Sequence, residues 1–304
     1  MSTPYPRDLV GYAGRPPHPH WPGEARIAVN FVVNYEEGSE YNVHDDGVSE
    51  GTLTESGGAN YGVKGRDLAA EGMFEYGSRV GFWRVLRLFQ ERGLPLTVFG
   101  CALALERNPA VAAAIKESGF DVCSHGWRWV KHYELTEEQE REHIRLAIES
   151  MKKTLGERPL GWYCRYGPSV NTRELVVEEG GFVYDADAYN DDLPYFTEVK
   201  GKRHLVVPYT LTYNDGRYVL PQGFSGPGDF FDICRRGLDE YLREGEAGYP
   251  KMMSIGLHPR WVGQAARVNA LREFIEYAQA KGDVWFARRI DIARWWLEHH
   301  EEWM

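Results

Sequence analysis

The residues of this chain able to do chemistry fall in a few short runs, and the most telling is Cys123-Ser124-His125-Gly126-Trp127-Arg128-Trp129. A histidine followed four residues later by a second one would put two imidazoles on one helical face, ready for zinc. Here the later position is Trp129, whose indole N–H donates a hydrogen bond but has no lone pair for a metal. The run reads as the pocket of a metallohydrolase in which the metal has been given up.

A second run, Asn34-Tyr35-Glu36-Glu37-Gly38, closes the first strand pattern. Odd positions from Ile27 to Tyr35 form an unbroken apolar face, while Ala28, Asn30, Val32, Asn34 and Glu36 form a smaller, partly polar one. In a parallel α/β fold the smaller face looks inward, and Glu36 then points into the mouth at the strand's C-terminal end, where such folds place their chemistry. Two adjacent carboxylates raise one another's pKa, which leaves one able to take up or return a proton near neutrality. An exposed acidic strand end is the plain alternative.

His258 ends another strand pattern, Met252 to Leu257, with Ser254 and Gly256 on its own face leaving room for a ligand. A lone histidine there is also often structural. Arg165 lies just past a fourth strand, placed to hold a carboxylate or an oxyanion, unless it is simply a loop arginine. The acidic-aromatic run Tyr184 to Tyr195, with Tyr189 and Asp192, can pair with Arg165, bind a metal or bind substrate, although Asp and Asn are ordinary loop residues. Cys164 ends the same strand, and nothing around it in sequence lowers a thiol pKa.

Short apolar runs alternating with helical patterns position these residues, as in βα units around a parallel sheet. Strands are expected at Ile27–Asn34, Leu96–Gly100, Phe120–Ser124, Gly161–Cys164, Phe182–Asp185, Leu205–Tyr209, Met252–Leu257 and Val284–Ala287. Helices are expected near Ser78–Arg92, Pro109–Ser118, Glu137–Thr154, Arg173–Glu179, Asp229–Arg243, Arg267–Ala280 and Asp291–His300. Asn108-Pro109 is an N-cap signal and Thr136 to Gln139 a capping box. No linker divides the 304 residues, so one domain is expected, with an extended N-terminal arm over 1–25. The polar, Gly-rich stretch 38–72 is too long for an idle connection and reads as a lid or an oligomer arm.

Composition narrows the partners. A net charge of −10 disfavours nucleic acid and anionic membrane, both of which need a basic footprint. Scattered cysteines without a C-x-x-C pair suit reduced thiols rather than a disulfide framework. Met1 to Trp21 holds no apolar run, so neither a signal peptide nor a membrane anchor is expected, which points to a cytoplasmic enzyme with a small internal substrate.

Taken in order, the Glu36-Glu37 pair, Ser124-His125-Gly126, the Arg165 turn, the acidic-aromatic loop and Leu257-His258 resemble the polysaccharide deacetylase superfamily. Its metal-independent allantoinase branch resembles the chain more closely, through Tyr5-Pro6-Arg7-Asp8-Leu9, Pro17 to Gly23, Glu75 to Arg79, Ser124 to Trp129, Asp191 to Tyr195 and Ser254 to His258. Two stretches differ from that branch: the turn Cys164 to Asn171, and Pro259 to Gly263 after His258. The resemblance implies a single α/β domain, a distorted (β/α) barrel. It also implies ring-opening of a cyclic ureide, allantoin to allantoate, in purine breakdown by a cytoplasmic homotetramer.

In that reading Glu36 is the base and Glu37 tunes it. His125 or His258 protonates the leaving nitrogen, Trp129 and Arg165 orient the ring carbonyls, and Asn34, Tyr189 and Asp192 line the pocket. A zinc-dependent cyclic imide hydrolase or N-acetyl sugar deacetylase is the main rival, with Glu37, His125 and His132 as ligands. A helix over 126–132 would separate the two histidines by about 10 Å along its axis. A barrel that binds its ring without turning it over is the remaining one. The tryptophan predicts ring-opening that survives exhaustive chelation; activity abolished by chelation and restored by zinc is the contrary result.

Overall fold

The computed structural model describes residues 7–51, 54 and 62–303, so Tyr5-Pro6 of the N-terminal run and parts of the 38–72 stretch lie outside the described residues. Among the described residues nine strands form one curled sheet: β1 (Ile27–Tyr35), β2 (Thr97–Gly100), β3 (Asp121–Ser124), β4 (Gly161–Trp162), β5 (Tyr184–Asp185), β6 (Tyr195–Val199), β7 (Lys202–Val206), β8 (Lys251–Leu257) and β9 (Val284–Phe286). The order is β6-β7-β5-β4-β3-β2-β1-β8, and β9 pairs the first half of β1. Every pairing is parallel except that of β6 with β7. The parallel strands, β6 apart, therefore deliver their C-terminal ends to one rim.

Around the sheet run α1 (Val43–Asp46), α2 (Leu68–Tyr76), α3 (Phe82–Arg92), α4 (Ala102–Arg107), α5 (Pro109–Glu117), α6 (Glu137–Leu155), α7 (Thr172–Glu179), α8 (Pro227–Glu246), α9 (Pro259–Val262), α10 (Ala265–Gln279) and α11 (Arg289–His299). The expected caps form. The Asn108 side chain accepts from the Val111 N–H, and Thr136 and Gln139 make the reciprocal box. The two faces of β1 divide as its alternation requires. Ile27, Val29, Phe31, Val33 and Tyr35 join the outer core with Phe82, Phe89 and Phe274 from the helices, while Ala28 and Val32 join the inner core with Phe99, Tyr163 and Tyr209.

Three expectations change. The Ser78–Arg92 helix begins earlier, because Asp67 caps α2 and a widened turn at Gly77–Gly81 carries it into α3. That turn has to be glycine at both ends: a Cβ on Gly77 would meet Glu37 Oε1 at 2.4 Å, and one on Gly81 would meet the Pro259 carbonyl at 1.9 Å. β6 was not expected and β7 starts earlier than foreseen, because Lys200 and Gly201 take positive φ and close a two-residue hairpin. The described part of the N-terminal arm is no loose extension. Trp21 is 1% exposed, donates to the Lys251 carbonyl at 3.0 Å and packs on Trp285 and Trp296.

Among the described residues no ladder joins the two ends of the sheet. Arg289 bridges the gap: its guanidinium donates to Asn30 Oδ1 of β1 at 3.1 Å, Ser254 Oγ of β8 at 2.9 Å and the Pro208 carbonyl at 2.8 Å, and also reaches the Val207 carbonyl. A buried guanidinium serving this many acceptors cannot be removed without orphaning them. Arg289→Met should destabilise by about 3 kcal/mol or more in urea unfolding; a change under about 1 kcal/mol would contradict this account of the seam.

Candidate active site

The ends of β1, β3 and β8 bring together Glu36, His125 and His258, residues 89 and 133 positions apart from one another, as their strand-end placement requires. Glu36 Oε1 lies 3.1 Å from His125 Nε2 and 3.5 Å from His258 Nε2, and Oε2 lies 2.7 Å from Arg260 Nη2. All four side chains are buried. Burial pushes the Glu36 pKa up, but Arg260, His258 and the His125 hydrogen bond outweigh it and hold the carboxyl well below its ordinary value.

His258 is oriented from behind. Its Nδ1 lies 2.6 Å from Asp215 Oδ1, and Asp215 Oδ2 accepts the His258 N–H at 2.7 Å and the Val262 N–H at 3.0 Å. Burial alone would lower the His258 pKa. Glu36 on one ring nitrogen and Asp215 on the other raise it to about 9, so the ring is an imidazolium at neutral pH. His125 rests against the Tyr163 ring at 5.0 Å, with Nδ1 3.3 Å from the Tyr163 carbonyl.

Glu37 shares the region but faces elsewhere. Its Oε2 accepts the Glu36 N–H at 3.0 Å, and Oε1 lies 3.3 Å from the Arg260 N and 3.5 Å from its Nη1. Burial chiefly, then Glu36, raises it to about 7 against the pull of Arg260. The expectation of one carboxyl near neutrality therefore falls on Glu37, and Glu36 moves the opposite way because the cations gather on it.

Trp129 is buried, and its ring face carries two guanidinium groups, Arg165 at 3.8 Å and Arg260 at 5.0 Å. Arg165 does not stand free for an oxyanion: it donates to Glu50 Oε2 at 2.8 Å and to the Trp129 carbonyl at 3.2 Å. Glu50 belongs to the 38–72 stretch. Its described residues Gly38 to Gly51 fold over this rim, with Asp46 gripped by both Arg128 amino groups at 2.7 and 2.6 Å. The described residues 38–51 are thus tied by ion pairs to the segments that carry Trp129 and Arg165; residues 52–53 and 55–61 lie outside the described residues.

The remaining expected pocket residues separate. Tyr189 reaches the rim, its hydroxyl 2.8 Å from that of Tyr163. Asn34 is a correction: its amide donates to the Leu257 carbonyl at 3.2 Å and to Tyr209 Oη at 3.3 Å, so it ties β1 to β8 beneath the site. Asp192 is another. Its carboxylate accepts from Tyr241 Oη at 2.9 Å and its carbonyl from the Met252 N–H, at the opposite end of β8 from His258. The space expected above Ser254 and Gly256 is filled, since Ser254 serves Arg289 and a Cβ on Gly256 would lie 2.0 Å from Tyr209 Oη.

A zinc ligand set does not fit these donors. The 126–131 segment is a loop rather than a helix, so helical separation is not what removes His132. His132 instead turns Nδ1 to Glu140 at 3.2 Å and packs on Trp162. Trp129 has no lone pair to offer, and Glu37 Oε1 faces an arginine. Among the described residues no group of three His, Cys, Asp or Glu side chains is placed to hold a metal ion. Cys164 lies against Asp187, and burial pushes its thiol well above the ordinary value, which removes it as a nucleophile.

Sequence reasoning missed Arg260 and Asp215. Arg260 sat in the Pro259 to Gly263 stretch noted only as a departure, and Asp215 had no signal beyond a turn-like Asn214-Asp215-Gly216.

The comparisons agree with this architecture. The pattern defining the polysaccharide deacetylase family matches residues 67–184. A putative polysaccharide deacetylase of Schizosaccharomyces pombe is 39% identical over 97% of this chain and 98% of its own length. Two crystal structures superpose with a TM-score of 0.93. A PuuE allantoinase is 50% identical, covering 98% of this chain and 99% of that one. A probable polysaccharide deacetylase from Pseudomonas aeruginosa PAO1 is 51% identical, covering 99% and 100%. The chain belongs to the polysaccharide deacetylase family, a curled half-barrel hydrolase of that superfamily. Among the described residues no helix is long and apolar enough to cross a membrane.

The raised pKa of His258 makes its ion pairs stabilising in full below the ordinary value of 6.5, with that stability lost as pH rises through about 9. In an NMR titration the His258 ring should titrate near 9, and Asp215→Asn should move the midpoint down towards 6.5. An unmoved midpoint would deny Asp215 its role.

Proposed function

We propose that this hydrolase cleaves a cyclic C–N bond, opening allantoin to allantoate or a closely related cyclic ureide, by carboxylate-activated water without a metal ion. The observation that carries this reading is a single carboxylate oxygen, Glu36 Oε1, within 3.5 Å of two imidazoles, one of them backed by Asp215. Likeness to a PuuE allantoinase over nearly the whole chain supports the substrate class.

Glu36 takes a proton from water as the oxygen bonds to the ring carbonyl carbon. The C–N bond breaks as the His258 imidazolium gives its Nε2 proton to the leaving nitrogen, and Glu36 returns its own proton to His258 across the short gap between them. A carboxylate held below its ordinary value is a weaker base, but Arg260 and His258 keep it ionised at neutral pH. Arg260 and His125 lie beside the charge that develops on the carbonyl oxygen. Glu37 fixes the Glu36 backbone, while Trp129, Arg165 and Tyr189 form walls for a flat, polar ring. Asn34 acts from below, and Asp192 has no part in the chemistry. We also propose the homotetramer and the cytoplasmic site of action that the resemblance implies.

The deacetylase reading draws on likeness to a putative polysaccharide deacetylase and to a probable polysaccharide deacetylase of known structure, and the cyclic imide reading on the same pocket chemistry. Allantoate release from allantoin, compared with acetate release from an N-acetylglucosamine oligomer and with succinimide-ring opening, separates the three. The expected result is allantoate, with Glu36→Gln lowering kcat by at least about a hundredfold. Acetate release in its place, or a Glu36→Gln variant near wild-type turnover, would overturn the reading.

A further inference from the structure

A metal held by a carboxylate pair, His125 and a side chain at position 129 would have to lie where those groups converge. That place is already occupied. Arg260 enters from the first turn of α9, straight after His258 and Pro259, and its side chain is fully buried. Its Nη2 is 2.7 Å from Glu36 Oε2 and its Nη1 is 3.5 Å from Glu37 Oε1. Three aromatic rings surround the guanidinium carbon, Trp261 at 4.1 Å, Phe74 at 4.6 Å and Trp129 at 5.0 Å. Such faces attract a cation and suit a planar guanidinium better than a compact ammonium.

We infer that Arg260 is the resident cation of this centre: with Trp129 as its aromatic seat, it holds the two carboxylates and excludes a metal ion from the same place. Trp129 is then more than a lost ligand. A histidine at that position would offer a nitrogen but only a smaller, less electron-rich face for the guanidinium, and a divalent ion approaching Glu36 Oε2 and Glu37 Oε1 would meet the repulsion of the guanidinium that already lies against both. The substitutions work as a unit. Arg260 is a positioning residue as well, keeping Glu36 aimed between His125 and His258.

This rests on the reading of Glu36 as the working carboxylate but not on which ring is opened, so its test reads metal uptake rather than turnover. Wild type, Trp129→His, Arg260→Gln and the double variant would each be titrated with cobalt(II) and followed by visible absorption, with folding checked by circular dichroism. The double variant should take up about one equivalent with tetrahedral or five-coordinate bands, and the other three should take up none under the same conditions. Uptake by wild type, uptake by Trp129→His alone as tight as by the double variant, or a folded double variant that binds none, each overturns the inference.

Should the double variant not fold, Arg260→Ala supplies an independent measurement. Millimolar guanidinium chloride should refill the aromatic seat and raise that variant's melting temperature by about 2–4 °C over equal sodium chloride, with no rise for wild type. Equal melting temperatures in the two salts would overturn the inference. Failure of every tested ring to react, alongside the expected cobalt pattern, would sink the proposed substrate and leave Arg260's role standing.

Discussion

Everything at the rim of this sheet answers to one buried charge, the carboxylate of Glu36. Removing an ionised carboxylate from water is costly unless cations and hydrogen-bond donors take the place of solvent. Here they come from distant parts of the chain: His125 after β3, and His258 and Arg260 after β8. A parallel arrangement collects them at one rim, because β1 lies beside β8 and only one strand away from β3. Asp215 completes the balance by holding His258 charged from its far side.

The same logic extends outward in layers. Arg260 neutralises Glu36 and lies over the Trp129 ring; that electron-rich ring also carries Arg165, which in turn meets Glu50 of the 38–51 segment. Arg128, next to Trp129 in sequence, grips Asp46 of the same segment. Acid, base and ring alternate from Glu36 through Arg260, Trp129 and Arg165 to Glu50, so the 38–51 segment is tied to the same buried network as the carboxylate. Desolvation strengthens each of these pairs, and each pair helps keep the site desolvated.

Glu36 and Glu37 illustrate how far sequence neighbours can diverge. They are consecutive at the end of one strand, yet burial and Glu36 leave Glu37 near neutrality while the cations hold Glu36 low. A rule that two close carboxylates share a proton anticipates one raised pKa but not which residue carries it. That depends on where Arg260 points. Asn34 makes a related point: it lies on the inward face as alternation demands, but its amide is spent on Leu257 and Tyr209 rather than on the pocket.

Local pattern determined the elements of this protein. Period-two alternation marked the faces of β1 and β8, cap residues marked the starts of α5 and α6, and strand-end positions singled out Glu36, His125 and His258, because these signals arise from backbone geometry within a few residues. The Trp129 substitution was legible too, since it turns on the chemistry of one side chain. Tertiary structure alone decided the rest: that Arg260 fills the space beside the carboxylates, that Asp215 stands behind His258, that Arg165 is engaged by Glu50, and that Asp192 lies at the wrong end of β8. Those facts join residues separated by tens to hundreds of positions. No propensity or spacing encodes such a contact, because its energy exists only once the chain has excluded water and brought the charges together.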